Sequence, residues 1–142
     1  MSPIHAGLIA RHGPGGWRGV LIEGPSGAGK SDLILRCLSH GFCLVADDRV
    51  ALWACEDRLW GSAPTKLHGL IEARGLGILA QPARPFAEIC LIADCVGAVE
   101  RMPDPAFREH AGIRRPLIRV RPLEASATEK LIHALSLLGA RP

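Results

Sequence analysis

Gly24-Pro25-Ser26-Gly27-Ala28-Gly29-Lys30-Ser31 is the stretch that decides the fold. It fits G-x-x-x-x-G-K-[ST], a glycine loop whose main-chain N–H groups wrap a phosphate. Its flanks give the short pattern weight. Gly19-Val20-Leu21-Ile22-Glu23 before it is an apolar run suited to a buried strand. Asp32-Leu33-Ile34-Leu35-Arg36-Cys37-Leu38 after it is helix-like, and the run stops at Gly41. Strand, loop, helix is the setting this motif needs. Gly24, Gly27 and Gly29 let the backbone turn tightly and aim its N–H groups inward. The helix that follows adds the positive end of its dipole. All eight residues, Gly24, Pro25, Ser26, Gly27, Ala28, Gly29, Lys30 and Ser31, therefore form a candidate nucleotide-binding segment. Lys30 can reach β- and γ-phosphates, and the Ser31 hydroxyl can sit on Mg²⁺. The competing reading is a chance glycine-rich turn, which the strand and helix on either side disfavour.

Working outward, 142 residues fit one domain spanning 1–142. Apolar residues at 48% can fill a core, and charged residues at 22% argue against disorder. The net charge of +3 comes from scattered arginines, and the chain lacks Tyr. Neither a basic patch nor a stacking platform is present, so nucleic acid is not an expected partner. Cys37, Cys43, Cys55, Cys90 and Cys95 contain no C-x-x-C pair. They read as reduced, buried thiols, which fits a cytoplasmic protein. The N-terminus has no signal-peptide pattern, and no apolar run is long enough to span a membrane.

Residues 3–11 and 19–23 are predicted to form a hairpin across the turn cluster His12-Gly13-Pro14-Gly15-Gly16. Residues 30–40 form the helix after the loop. Phe42-Cys43-Leu44-Val45-Ala46 reads as a buried strand. Residues 49–54 and 58–61 suit a second hairpin across Glu56-Asp57. Residues 62–75 are expected as loop or short helix, 86–93 as a strand, and 117–121 as another. Pro103, Pro105, Gly112 and Pro116 mark 97–116 as a long exposed loop. Ser126 with Glu129 is a capping-box signal for a last helix through Leu131, Ile132, Leu135 and Leu138, ending at Gly139.

Asp47-Asp48 ends the apolar run at 42–46, one helix after the glycine loop. Ligands of such sheets bind at the carboxyl ends of the strands. One carboxylate can hold Mg²⁺, and the other can take a proton from an incoming hydroxyl. Adjacent like charges would raise one pKa, which favours a base. The plain alternative is a solvated turn.

Three segments together carry a resemblance: Gly24–Ser31, Leu44-Val45-Ala46-Asp47-Asp48-Arg49-Val50, and Ile71-Glu72-Ala73-Arg74-Gly75-Leu76-Gly77-Ile78. The chain resembles the catalytic domain of the HPr kinase/phosphorylase family. The third segment matches the family's [LI]-E-x-R-G-L-G-[IL] signature nearly throughout, and the likeness spans about residues 4–101. It implies an α/β P-loop fold of the HPr kinase type, with a mixed central sheet and flanking helices. It also implies ATP and Mg²⁺ as cofactors and the phosphocarrier protein HPr as substrate, phosphorylated on serine. By the same resemblance, the loop binds ATP and Asp48 is the base, with Asp47 beside it. Glu72 belongs to the metal site with Ser31 and Asp47. His5, in Ile4-His5-Ala6, and Arg101, in Val99-Glu100-Arg101-Met102-Pro103, are further catalytic positions. A strand histidine, an exposed Glu72–Arg74 loop pair and a surface arginine are the bland readings of these residues.

The sequence departs from long family members. It starts at the first catalytic strand, so the expectation is a short form without their N-terminal domain. It reads Arg121-Pro122-Leu123-Glu124-Ala125-Ser126-Ala127-Thr128 where the family has P-V-[RK]-x-G-R-N, a segment linked to dephosphorylation. A kinase with weak or absent phosphorylase activity is therefore expected, and a homo-oligomer stays open. A P-loop kinase for a small metabolite and a non-catalytic nucleotide sensor are the two rival readings.

Overall fold

The computed structural model describes residues 2–139. Strands β1 (Gly7–Gly13) and β2 (Gly16–Glu23) form the expected hairpin, with Gly13 opposite Gly16. Helix α1 (Lys30–Leu38) follows the glycine loop, and β3 (Phe42–Ala46) is the expected apolar strand. β4 (Ala51–Cys55) and β5 (Arg58–Ser62) turn at Glu56-Asp57, where Glu56 takes φ 58°.

The 62–75 region departs from expectation. After a single 3₁₀ turn at Thr65–Leu67 come β6 (Leu70–Ala73) and β7 (Gly77–Ala80), which pair antiparallel as a separate two-stranded sheet. Four-residue strands are too short for a period of two to emerge from the sequence. After β8 (Ala87–Cys95), the expected long loop is also corrected. β9 (Ala106–His110) and β10 (Ile113–Val120) form a hairpin at Ala111-Gly112, whose φ values of 50° and 80° suit a tight two-residue turn. Pro116 lies just before Leu117, the first β10 residue paired with β8, so its missing N–H takes nothing from that ladder. Helix α2 (Ala127–Gly139) closes the described chain, so the expected stop falls at its edge. The capping box is not formed as expected. Ser126 Oγ donates to Glu124 Oε1 (3.1 Å), and the Ala127 N–H bonds Glu124 O (3.1 Å).

The main sheet is mixed, in the order β3-β1-β2-β8-β10-β9, with β5 also pairing β8. β2, β8 and β10 are parallel neighbours, and β1 is antiparallel to both β2 and β3. The carboxyl ends of β3, β2, β8 and β10 therefore share one end of the sheet. The start of β1 lies there too.

Side chains alternate between two cores. Ile9, Val20, Ile22, Leu44 and Leu91 pack with α1 and α2. Leu8, Leu21, Val45 and Ile92 pack with Leu52 and Leu59 of the β4–β5 hairpin. The alternation breaks in β8, where Ile89 and Ile92 share the second core. A register shift between Gly19 and Val20, which face Ile89 and Leu91, accounts for it: one extra residue flips the parity. The outer side of β3 is covered by a bridge from Leu44 to Ala83 and by the Arg84 N–H on Leu44 O (2.8 Å).

Candidate active site

The glycine loop leaves β2 at the shared carboxyl end. Gly24 (φ 150°) lies against β8, where a Cβ would come within 2.8 Å of Cys95 Cβ. Gly29 starts α1 in the left-handed region (φ 105°), and no side chain caps the helix. Apart from the Ala28 N–H, which bonds Pro25 O (3.1 Å), the loop and first-turn amides are thus open to an anion. Lys30 is 8% exposed and folds back on the loop, its Nζ donating to Gly24 O (2.7 Å) and Pro25 O (2.9 Å).

Asp47 is 6% exposed and is the structural hinge of the site. Its Oδ1 accepts from Ser31 Oγ (2.8 Å) and its Oδ2 from the Glu72 main-chain N–H (3.0 Å). One carboxylate thereby ties the loop, the end of β3 and the signature strand β6 together. The Glu72 side chain itself is exposed.

Asp48 turns the other way. The Arg49 N–H bonds Asp47 O (2.8 Å) across a three-residue turn, and Asp48 at its centre takes φ 71°. Its side chain is 58% exposed and meets His5, with Nδ1 3.2 Å from Oδ1. The Arg49 guanidinium also reaches His5 Nδ1, and lies 3.9 Å from Asp48 Oδ2. One ring nitrogen thus faces a cation and a carboxylate. Without a proton it accepts from Arg49, and with one it donates to Asp48. On its far side, His5 Nε2 is 3.4 Å from Ser26 Oγ of the glycine loop. The expected like-charge pair is replaced by two carboxylates with separate partners.

At the foot of the loop, Glu23 pairs with His110 (2.9 Å) and Arg108 (3.1 Å), and Arg108 also meets Asp94 (3.5 Å). Burial pushes the Glu23 carboxyl up, but His110 and Arg108 outweigh it and hold it below its ordinary value. Burial lifts the Cys37 and Cys95 thiols to about 11, keeping them unreactive, whereas Cys55 is exposed rather than buried as expected. All five cysteines are free.

The family profile described as HPr Serine kinase C-terminal domain matches residues 4–83. The chain belongs to this family. Members of the HPr kinase family similar to it include the HPr kinase/phosphorylase of Streptococcus salivarius, 46% identical over 79 residues, which are 55% of this chain and 24% of that protein. That of Clostridium tetani is 46% identical over 80 residues, 56% of this chain and 25% of that protein. The chain spans about a quarter of the length of these curated relatives. The solved structure of the Hpr(Ser) kinase/phosphatase from Coxiella burnetii superposes with a TM-score of 0.77 at 27% identity, covering 98% of this chain and 94% of that one.

The HPr kinase family match contains His5, the glycine loop, Asp47, Asp48 and Glu72, and ends before Arg101. The structure brings His5, Ser26 and Asp48 together, and separately Ser31, Asp47 and Glu72. Arg101 is exposed between β8 and β9 and joins neither group. Arg49 was missed by sequence reasoning. Its signal was its place directly after the Asp pair.

The hard oxygens of Ser31, Asp47 and Glu72 suit Mg²⁺. Among the described residues, no three His, Cys, Asp or Glu side chains form a metal cage.

Asp47→Ala strands the Glu72 N–H and is expected to destabilise the fold by about 1–3 kcal/mol. Asp47→Asn can turn its oxygen to Glu72 and its amide to Ser31, so it should lose less. Urea unfolding midpoints of the two variants check this. Equal losses would show that the charge, not the two contacts, matters.

Proposed function

We propose that this protein transfers the γ-phosphoryl group of ATP to a serine hydroxyl of HPr, acting as a protein-serine kinase. The observation that carries this reading is the division of the Asp47-Asp48 pair. One carboxylate is buried on the P-loop serine, and the other is open to solvent beside His5.

The loop amides and the dipole of α1 receive the phosphates. Lys30 exchanges its two carbonyl partners for the β- and γ-phosphate oxygens. Ser31, Asp47 and Glu72 would hold Mg²⁺, which when bound offsets phosphate charge. Asp48 accepts the proton of the target hydroxyl. The hydroxyl oxygen then bonds to the γ-phosphorus as the bond to the β-phosphate bridging oxygen breaks, and ADP leaves. His5 and Arg49 fix the Asp48 carboxylate from the loop side. Arg101, in the segment leaving β8, offsets charge on the transferring group once substrate is bound. The chain acts as one catalytic domain, in the cytoplasm, without a nucleic-acid or membrane partner.

Labelled ATP and Mg²⁺, incubated with HPr or with a panel of metabolites, test the reading. Label on HPr serine is expected. Label on a metabolite alone would make this a small-molecule kinase, and nucleotide binding without transfer would make it a sensor.

The reaction is expected to run mainly forward. A reverse reaction needs a second anion site for inorganic phosphate, built from N–H groups and a guanidinium. Leu123 and Glu124 stand where the family has its glycine-arginine pair. Glu124 is ionised, held low by hydrogen bonds from Lys130 and Ser126. Phosphoserine-HPr, Mg²⁺ and millimolar phosphate should therefore release little pyrophosphate. Release at a rate comparable to the forward reaction would sink this prediction.

A further inference from the structure

The phosphoryl-transfer steps leave unused a charged cluster at the foot of the glycine loop. Glu23 is the last residue of β2, and Asp94 faces it from β8 in the parallel register. Both carboxylates stand beside Gly24, the first residue of the loop. Glu23 precedes it in the chain, and Gly24 packs on Cys95, the residue after Asp94. Two negative charges therefore flank the segment that has to accept phosphate. Uncompensated, they would repel it.

The β9–β10 hairpin brings three basic side chains onto them. Arg108 lies 3.1 Å from Glu23 and 3.5 Å from Asp94, His110 Nε2 lies 2.9 Å from Glu23 Oε1, and Arg119 lies 3.9 Å from Asp94. The His110 and Glu23 side chains are only 18% and 15% exposed, so salt screens them weakly. Glu109 and Arg114 of the same hairpin stand on its exposed face. The charges gathered around His110 are thus two carboxylates and two guanidiniums, which cancel. The imidazole decides the balance. A neutral ring with its proton on Nε2 already donates to Glu23. A second proton, on Nδ1, keeps that bond and adds one positive charge at the foot of the phosphate loop.

We propose that His110 is a positioning residue of the loop, holding Glu23 and taking up a proton as ATP binds. The proposal rests on the ATP reading above. The coupling is reciprocal: a protonated His110 tightens ATP, and bound ATP favours the proton. Affinity therefore falls as pH rises through the histidine range.

Calorimetry of ATP with Mg²⁺ at about pH 6 and about pH 8, on either side of that range, compares the wild type with His110→Gln and Glu23→Gln. Glutamine at 110 can still donate to Glu23 but takes up no proton. ATP and His5 also titrate, but they are present in every variant, so the differences between variants are read. At the lower pH the wild type should bind ATP about fivefold more tightly than His110→Gln, the scale of one unit charge acting across a partly solvated loop, and at the higher pH the two should agree within about 1.5-fold. Near neutral pH, two buffers of different ionisation enthalpy should count a larger proton uptake for the wild type than for His110→Gln. Glu23→Gln should bind ATP more tightly than the wild type at the higher pH, a gain that a damaged fold would not give. Equal pH dependence in the wild type and His110→Gln overturns the proposal and leaves the P-loop reading standing. An equal loss at both pH values overturns it too, because His110 then acts through packing alone. Unchanged or weaker binding by Glu23→Gln at the higher pH does the same, because the carboxylate then does not oppose the phosphates. A wild type that binds no ATP removes both readings.

Discussion

Lys30→Ala is expected to lower phosphoryl transfer by roughly 10²–10³-fold, the usual consequence of removing a positioned charge from a transition state. The Lys30 Nζ donates to Gly24 O and Pro25 O, carbonyls of a loop at the open end of the sheet. Lys30 is 8% exposed, so a urea unfolding midpoint measured beside the activity separates a lost charge from a loosened loop. The same ammonium is the nearest strong donor that can swing onto the β- and γ-phosphates once they fill the loop. Steady-state transfer of label from ATP to HPr reads the effect. Near wild-type turnover would take the P-loop lysine out of the mechanism.

What the sequence made legible follows from length and periodicity. The glycine loop, α1, β3 and β8 were readable because a long apolar run or a full motif constrains each one. Two hairpins were not. β6–β7 has four-residue strands, and β9–β10 carries Pro116 within a strand and Gly112 at its turn. Proline and glycine are strong local signals for loop, and here pairing across the sheet overrides them. The capping box failed for a related reason: Ser126 found a nearer partner in Glu124, two residues away.

The site was legible in residue type but not in direction. Asp47 and Asp48 were both marked by their place after β3, yet a strand ending in two carboxylates does not say which one turns inward. The three-residue turn decides it. Asp48 at φ 71° throws its side chain toward His5 and Arg49, and leaves Asp47 facing Ser31. That backbone conformation is unusual outside glycine and is best tolerated by Asp and Asn. Glu72 stood out by its place in a specific signature. Its contact with the site is nevertheless through the main chain to Asp47, which no side-chain pattern could reveal.

Asp48→Asn is therefore expected to bind ATP normally and to phosphorylate HPr about 10²–10⁴-fold more slowly, the range attributed to a positioned general base. Asparagine keeps the shape and tolerates the left-handed turn, so neither strain nor packing confuses the result. What it cannot do is accept a proton. Asp48→Ala would lose the same function but add strain at φ 71°, so it makes a poorer probe. Asp47→Asn should behave differently. Its amide would donate to Ser31 Oγ and occupy the lone pair that Mg²⁺ needs, so the loss should show first as weaker Mg²⁺-dependent ATP binding. The two variants thus separate along binding and turnover. If Asp47→Asn instead kept ATP affinity and gave the larger fall in turnover, the base would be Asp47, and the exposed carboxylate beside His5 would need another role.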